Sequence, residues 1–326
     1  MTTLAPPPGP PPPPGQLPPP PPNPPPPNLP PPGAAPTQPA KAGRRPRTSA
    51  APLPGGILVA AWIMFAISAL ALWLIAFTFG LSSLQASRSN AVLYSELREN
   101  LSGSTTPIGG LIAPGTPIAL LKAPAAGLSG IVVVEGTSSG QLTSGPGHRR
   151  DTPLPGQAGT SLIYGRSLTY GAPFAHIDHL HHGDQITVTT DQGTFTYVVE
   201  GVRHPGDPLP TLLATGAGRL TLETSSGVFG SANTVYVDAT LKGAPAGTPS
   251  GRMTVVPPAE KAMGTDSSGL VNMIFWMQAL LVVSVAMVWA WVRWGHWQAW
   301  VLGVPAIICL LWLVTADASL MLPNLI

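Results

Sequence analysis

Three long apolar runs constrain the fold of this chain more than any other feature of its sequence. They lie at residues 56–80, 270–292 and 297–320, and each is long enough to span the hydrocarbon core of a bilayer as a helix. A basic cluster at residues 41–47 precedes the first run, which by the positive-inside rule places the N-terminal side in the cytoplasm. The sequence therefore predicts a plasma-membrane protein with three transmembrane helices and an extracytoplasmic middle part.

Proline dominates the beginning of the chain, which contains 42 prolines among its 326 residues. Residues 1–55 include few side chains that could form a core, so we expect a disordered cytoplasmic tail rich in polyproline II conformation. Such a tail either docks a proline-recognising partner or serves only as a spacer, and the sequence allows both interpretations.

Short patterned segments fill the chain between the first and second apolar runs. Residues 81–103 predict a juxtamembrane helix, because leucine recurs there at every fourth position. Residues 104–243 predict an all-β domain, a closed barrel of about eight strands, and the Pro/Gly/Ser-rich residues 244–269 predict a linker. The predicted strands cover residues 118–122, 131–135, 161–164, 185–190, 194–199, 201–204, 220–224 and 234–241, with a hairpin turn at 191–193.

The chain has one cysteine, Cys309, and it lies in the third apolar run. No disulfide can form within the chain, and no thiol is available as a nucleophile in its polar middle part. The net charge of +2 and the lack of a basic stripe in the middle part argue against nucleic-acid binding.

Several segments of the middle part carry recognisable motifs. Residues 221–225 read TLETS at the end of a predicted strand, and residues 161–166 read SLIYGR shortly before a YGAPF segment. Residues 145–148 read GPGH, and residues 180–186 read LHHGDQI. Together these motifs resemble the sortases, cysteine transpeptidases of Gram-positive surfaces, and in particular the class E sortases of high-GC actinobacteria. The resemblance covers roughly residues 105–242 and implies a sortase-like barrel.

The resemblance assigns three catalytic positions, and this chain departs from the family pattern at each of them. The histidine position falls on Arg166, the cysteine position on Ser225 and the arginine position near Thr234. Sortase chemistry needs a thiolate nucleophile, a histidine that donates a proton and a cation at the oxyanion. A serine without an adjacent base is a far weaker nucleophile, and a guanidinium does not act as a base in proteins. We therefore expect no catalytic residues, and the candidate residues for a binding groove are Arg166, Ser225, Thr234, His148 and Tyr164.

Two functional hypotheses follow, and they differ in whether the chain is an enzyme. In the first, a catalytically inactive barrel is a binding or scaffold module of the cell envelope that takes a sorting-signal-like peptide or docks an envelope protein. In the second, the chain is a serine-based transpeptidase or hydrolase. The second hypothesis uses Ser225 or Ser226 as nucleophile, His148 or His204 as base, and Arg166 at the oxyanion. The sequence favours the first hypothesis, because no spacing selects a base for the second.

A histidine-rich stretch allows one further interpretation, a metal site. Residues 176–182 read HIDHLHH, and His176, His179 and His182 with Asp178 could share a helical face and bind zinc or nickel. The resemblance instead implies a polar surface turn between strands at this place. We therefore expect neither a metal ion nor another cofactor.

Overall fold

The computed structural model of the chain describes residue 22 and residues 55–226 and 233–326. The predicted disordered tail, residues 1–55, thus lies outside the described residues except at residues 22 and 55. In the described part, eight strands form a closed barrel, which confirms the predicted all-β barrel. The strands are β1 (Pro117–Ala123), β2 (Leu128–Glu135), β3 (Gly147–His148), β4 (Gly159–Tyr164), β5 (Gln185–Thr190), β6 (Gly193–Arg203), β7 (Gly218–Ser225) and β8 (Thr234–Lys242).

The order of strands around the barrel is β1-β2-β3-β4-β7-β8-β6-β5, so β4 and β7 become neighbours although they are distant in sequence. These two strands are parallel, and their carboxyl ends therefore lie at the same edge of the barrel. Leu121, Ile186, Tyr197 and Leu222 belong to the core inside the barrel and are fully buried. Alternate residues of each strand enter this core because successive side chains point to opposite faces of a sheet.

The barrel has eight strands, as the sequence predicts, but two of them differ from the prediction. The sequence predicts separate strands at 194–199 and 201–204, but they are one strand, β6, with a register irregularity between Val199 and Gly201. A bulge shifts the alternation of side chains by one residue, which explains why the pattern breaks there. The eighth strand is β3, which has two residues and is too short for its pattern to be recognised. The turn at 191–193 is confirmed by the pairing of β5 with β6.

Helices precede and follow the barrel. α1 (Gly55–Ala76) and α2 (Ser82–Ser102) are joined by a π-helical turn at Phe77–Leu81, and α2 coincides with the predicted juxtamembrane helix. The short α3 (Ser139–Leu142) lies between β2 and β3. After the barrel come α4 (Leu270–Arg293) and α5 (His296–Leu320).

Two helices in the described residues are long and apolar enough to cross a membrane, whereas the sequence predicts three spans. They are Leu270–Arg293, which is α4, and Trp297–Leu320 within α5. The described apolar part of α1, Ile63–Ala76, is shorter than a membrane span, because some side chains at the start of this helix lie outside the described residues. The first predicted span, residues 56–80, is therefore not one of the two.

The segment between the barrel and α4, residues 244–269, packs against the barrel although its composition predicts a linker. Arg252 Nη2 lies 2.7 Å from Glu135 Oε1 in a buried ion pair. Glu260 accepts a hydrogen bond of 2.9 Å from Arg150 Nε. The prolines and glycines of this segment disfavour regular helix and strand, but they do not prevent its charged side chains from binding to the barrel.

Candidate functional site

The three positions that the resemblance assigns to catalysis meet at one edge of the barrel. Because β4 and β7 are parallel, Arg166 follows β4 at the edge where Ser225 ends β7. β8 begins at this edge with Thr234, which pairs directly with Ser225. We call the surface formed by the ends of β4 and β7 and the start of β8 the groove. The structure thus brings Arg166, Ser225 and Thr234 to one place.

Gly165 fixes the backbone that leads from β4 to Arg166. Its N–H donates to Glu223 O at 3.0 Å, and its carbonyl oxygen accepts a hydrogen bond of 2.8 Å from Thr224 Oγ1. A side chain at this position would collide with the ring of Phe174, so glycine is required here by the lack of space. The backbone that carries Arg166 is therefore held against β7.

Arg166 is fully buried at the centre of the site. Its Nη1 donates to Thr169 Oγ1 and to Ile326 O, both at 3.1 Å. Its Nη2 donates to Ser139 O at 3.0 Å and to Ser139 Oγ at 2.8 Å, and its guanidinium lies 5.1 Å from the ring centroid of Tyr170. Burial lowers the pKa of Arg166 to about 10, so the side chain stays protonated at neutral pH. It can donate hydrogen bonds here but cannot accept a proton.

Ser225 is buried, and its hydroxyl is bound to a carbonyl group and a second hydroxyl. Its Oγ donates to Leu325 O at 3.0 Å and lies 2.8 Å from Ser167 Oγ. Ser167 binds the same carbonyl oxygen through its N–H at 3.1 Å and its Oγ at 3.2 Å. The main-chain oxygen of Leu325 is thus bound by the N–H of Ser167 and by the hydroxyl pair of Ser167 and Ser225. This arrangement holds a peptide, but it offers no proton acceptor that would activate Ser225.

Thr234 supplies no cation at the position where the resemblance places an arginine. Its Oγ1 donates to Tyr236 OH at 3.0 Å. Arg203, on the neighbouring strand β6, lies with its guanidinium 4.1 Å from the ring centroid of Tyr236 and donates from Nε to Asp238 at 2.6 Å. Arg203 is thereby held beside Tyr236 and Asp238.

A row of polar side chains lies next to the groove. Tyr164, Glu223 and Tyr236 pair in register across β4, β7 and β8, two positions before Ser225 on β7. Glu223 is buried, and its Oε1 has no hydrogen-bond partner among the described residues. Burial raises the pKa of Glu223 to about 7, against the opposing effects of Tyr236 and Arg149. Burial also raises the pKa of Tyr164, which therefore stays neutral.

Residues 321–326, which follow α5, occupy the groove, and we call them the groove segment. Asn324 and Leu325 are completely buried. The side chain of Leu325 packs against Tyr164 and Leu142. The groove segment therefore covers the positions that the resemblance assigns to catalysis.

A cavity of about 250 Å³ lies beside Ser225. It is smaller than most sites for small molecules, which occupy roughly 300–1,000 Å³, but it could take a side chain of a bound peptide. Its lining includes Leu168, Phe174, Ala175, Asp178, Ser225 and Val235.

No histidine in residues 55–226 and 233–326 hydrogen-bonds to Ser225. His204 is exposed and follows β6, with Nδ1 3.8 Å from Asp207 Oδ2. His148 is buried on β3, with Nδ1 3.0 Å from Glu135 Oε2 and Nε2 3.0 Å from Pro153 O. Both ring nitrogens of His148 are engaged within this cluster, whereas the Ser225 hydroxyl is bound by Ser167 and Leu325. The structure therefore places His148 in a separate buried cluster with Glu135 and not in the groove.

The histidine-rich stretch forms a surface turn between β4 and β5. The rings of His176 and His179 stack with their centroids 5.4 Å apart, and His182 Nδ1 lies 3.0 Å from Glu200 O. Within the part of the chain that the structure describes, no three His, Cys, Asp or Glu side chains converge as metal ligands would.

Comparison with known proteins agrees with the barrel fold. Residues 121–242 match the family model of the sortase domain. Sortase E from Streptomyces avermitilis is 31% identical, over 40% of this chain and 91% of that chain, with a TM-score of 0.35. The chain belongs to the sortase family. The matched residues of this sortase domain include all three positions discussed above, Arg166, Ser225 and Thr234.

Other solved sortases are similar to this one over comparable lengths. Sortase E1 from Streptomyces coelicolor, solved with a tripeptide in the active site, is 27% identical over 41% of this chain and 93% of that chain, with a TM-score of 0.36. The Clostridium perfringens sortase D5 transpeptidase is 23% identical over 48% of this chain and 99% of that chain, with a TM-score of 0.40. A search among curated proteins found no match.

Two parts of the site are missing from the sequence prediction. One is Ser167, which is an ordinary polar residue in the sequence but binds both Ser225 and Leu325. The other is the groove segment, which continues the apolar pattern of the third run and so resembles the end of a membrane span. Its signal is Pro323, since a proline soon after a helix marks the point where the chain turns away.

Proposed function

We propose that this sortase-family protein is a membrane-attached binding or scaffold module of the cell envelope, and that it has lost transpeptidase activity. The observation that carries the proposal is the environment of Ser225, whose hydroxyl contacts Leu325 O and Ser167 Oγ and, among residues 55–226 and 233–326, no base. Arg166, at the histidine position, stays protonated and cannot replace a base. Because catalytic residues act as a unit, replacing several of them leaves only a small residual rate enhancement.

The alternative proposal, a serine-based transpeptidase or hydrolase at Ser225, requires a proton acceptor next to the serine. The two histidines considered for this role, His148 and His204, lie elsewhere, as described above. The geometry of the groove therefore supports the binding function better than the enzymatic one.

The ligand that we propose for the groove is a peptide with the character of a sorting signal, since sortases act on proteins that carry such signals. The cavity of about 250 Å³ beside Ser225 could receive one side chain of this peptide. A second proposed partner is a cell-envelope protein that docks on the barrel. For the proline-rich residues 1–55 we propose a cytoplasmic protein that recognises polyproline II segments.

We also propose that the chain crosses the plasma membrane three times, with the N-terminal side in the cytoplasm and the sortase domain, residues 104–243, outside. Two candidate spans, α4 and the apolar part of α5, support the proposal directly. Arg293 lies at the short turn between them, which fits a cytoplasmic loop. The basic cluster at residues 41–47 fits a cytoplasmic position before a first span.

An acyl-transfer assay tests the proposed loss of catalysis. The full chain in detergent is incubated with a library of sorting-signal peptides and an amine acceptor, and its intact mass is measured. We expect no acyl adduct on the native chain, because Ser225 has no base. An adduct that disappears in Ser225→Ala would overturn the proposal and make the chain a serine enzyme.

A reverted variant provides the positive control. It carries Arg166→His, Ser225→Cys and Thr234→Arg, together with Leu325→Asp, which is intended to clear the groove. An adduct on this variant but not on the native chain would support a peptide-binding groove whose catalyst has been lost. No adduct on either chain would contradict the peptide as ligand and leave protein docking as the proposed function.

A further inference from the structure

The backbone of the groove segment is bound by the residues at two of the three catalytic positions. Ser225 donates to Leu325 O at 3.0 Å, and Arg166 donates to Ile326 O at 3.1 Å. The intervening loop adds donors, since Ser167 also binds Leu325 O, and Thr169 Oγ1 donates to Ile326 O at 2.6 Å. Two consecutive carbonyl oxygens are therefore each bound by more than one donor.

The side chains of the groove segment are recognised as well. Asn324 Nδ2 donates to Thr137 O at 2.7 Å and to Lys261 O at 2.9 Å. Leu325 fills an apolar site formed by Leu142 and Tyr164. Both contacts are features of specific peptide recognition. Replacing the amide of Asn324 would leave its two acceptors unpaired. Replacing Leu325 by a smaller side chain would leave its apolar site empty.

The chain before the groove segment is also fixed to the barrel, which limits how far the segment can move. Ser319 Oγ, in the last turn of α5, lies 2.6 Å from Tyr170 OH. Ser139 Oγ donates to Leu322 O at 3.2 Å, at the start of the groove segment. A ligand tethered this closely has a high effective concentration, in the millimolar range for short linkers, so it occupies the groove in preference to dilute external peptides.

We infer that the groove segment, residues 321–326, is a built-in peptide ligand of the groove, and that Arg166 and Ser225 form a clamp for its backbone. Any external peptide must first displace this segment. The inference does not rest on the proposed loss of catalysis, because the contacts of the segment would block the groove of an active or an inactive enzyme alike. The inference gives Arg166 and Ser225 a role in binding, since a guanidinium and a hydroxyl group both donate hydrogen bonds to main-chain oxygens.

Thiol labelling at position 225 tests the inference on the full chain in detergent. Cys309→Ala removes the native thiol, Ser225→Cys introduces a single reporter, and its rate of reaction with N-ethylmaleimide is measured. Adding Leu325→Asp puts a carboxylate into an apolar site and should release the segment. We expect labelling to become at least about tenfold faster, because the buried reporter then reacts without waiting for a local opening.

Leu212→Asp is the matched control, because it makes the same change at a side chain that is 100% exposed and lies outside the groove segment. It should leave the labelling rate unchanged. Asn324→Ala is a second releasing variant, for use if Leu325→Asp fails to fold, and it should also speed up labelling. Equal rates in the parent and in the folded releasing variant would overturn the inference.

Peptide addition separates a ligand from a simple cover. A synthetic peptide MLPNLI, the sequence of residues 321–326, is added at millimolar concentration to the Leu325→Asp variant. We expect it to slow labelling again, whereas a scrambled peptide should not. If the matching peptide does not slow labelling, the groove segment is not a ligand of the groove. The labelling assay involves no acyl transfer, so an acyl adduct at Ser225 in the previous assay would contradict only the loss of catalysis.

Discussion

Arg166 and Ser225 stand where the sortase resemblance places a histidine and a cysteine, and their contacts depend on the new residue types. Arg166 donates to Ser139, Thr169 and Ile326 at the same time, which requires the several donors of a guanidinium. Ser225 donates to Leu325 O, which a thiol does only weakly. At the scale of the residue, both side chains therefore act as hydrogen-bond donors to the groove segment.

Glu223 gives a prediction about stability and pH at the same scale. Its pKa is about 7 in the folded chain, against 4.5 for the ordinary group, because it is buried. Between these pH values the folded chain holds a proton that the unfolded chain has lost, so the free energy of unfolding should fall as pH rises from 4.5 to 7 and level off above. The fall attributable to Glu223 should be about 3 kcal/mol at most.

Thermal unfolding of the full chain in detergent at several pH values measures this effect. Glu223→Gln removes the titrating group, so we expect it to abolish this part of the pH dependence and to raise the unfolding temperature at pH 8. Glu96→Gln, at an exposed glutamate of α2, should behave like the native chain. An unchanged pH profile in Glu223→Gln would show that another group causes the slope.

At the scale of the element, alternation of side chains predicts most of the barrel. Strands such as β1 and β5 are visible in the sequence because their buried residues recur at every second position, whereas all residues of β7 are buried. The bulge in β6 breaks this period, and β3 is too short to show one. The groove segment depends on contacts such as Ser225 with Leu325, which are 100 positions apart, and no local pattern encodes them. The positions of Arg166 and Ser225 were therefore predictable from motifs, but their partners were not.

The cluster of Glu135, His148 and Arg252 gives a prediction at the scale of the element, because it ties the segment at residues 244–269 to β2 and β3. Arg252 Nη2 lies 2.7 Å from Glu135 Oε1, and His148 Nδ1 lies 3.0 Å from Glu135 Oε2. Glu135→Gln leaves a buried guanidinium without its counter-charge. We expect it to destabilise the fold by about 3–5 kcal/mol.

Chemical denaturation of the full chain measures the change in the free energy of unfolding. Asp207→Asn is the matched control, since it removes a carboxylate from an exposed pair with His204, 3.8 Å apart. An exposed pair contributes little to stability, so this variant should resemble the native chain. If Glu135→Gln were as stable as the control, the cluster would not hold the segment to the barrel.

At the scale of the whole molecule, the two candidate spans after the barrel explain how the groove segment reaches the groove. The chain leaves the barrel, passes through α4 and α5, and enters the groove at residues 321–326. Two crossings return a chain to the side from which it started, whereas a single crossing would leave its end on the other side. With the proposed topology, the helical pair α4–α5 would return the groove segment to the side of the membrane on which the sortase domain lies.

This arrangement predicts the sides of the membrane on which three positions lie. In a Cys309→Ala background, single cysteines replace Leu209 in the barrel, Trp294 at the turn after α4, and Leu322 after α5, which are 80%, 63% and 43% exposed. A membrane-impermeant maleimide applied to intact spheroplasts should label Leu209→Cys and Leu322→Cys, because the barrel and the groove segment share one side. Trp294→Cys should react only after the membrane is permeabilised. Labelling of Leu209→Cys and Leu322→Cys from opposite sides would contradict both the topology and the occupied groove, since a segment across the membrane cannot reach Ser225.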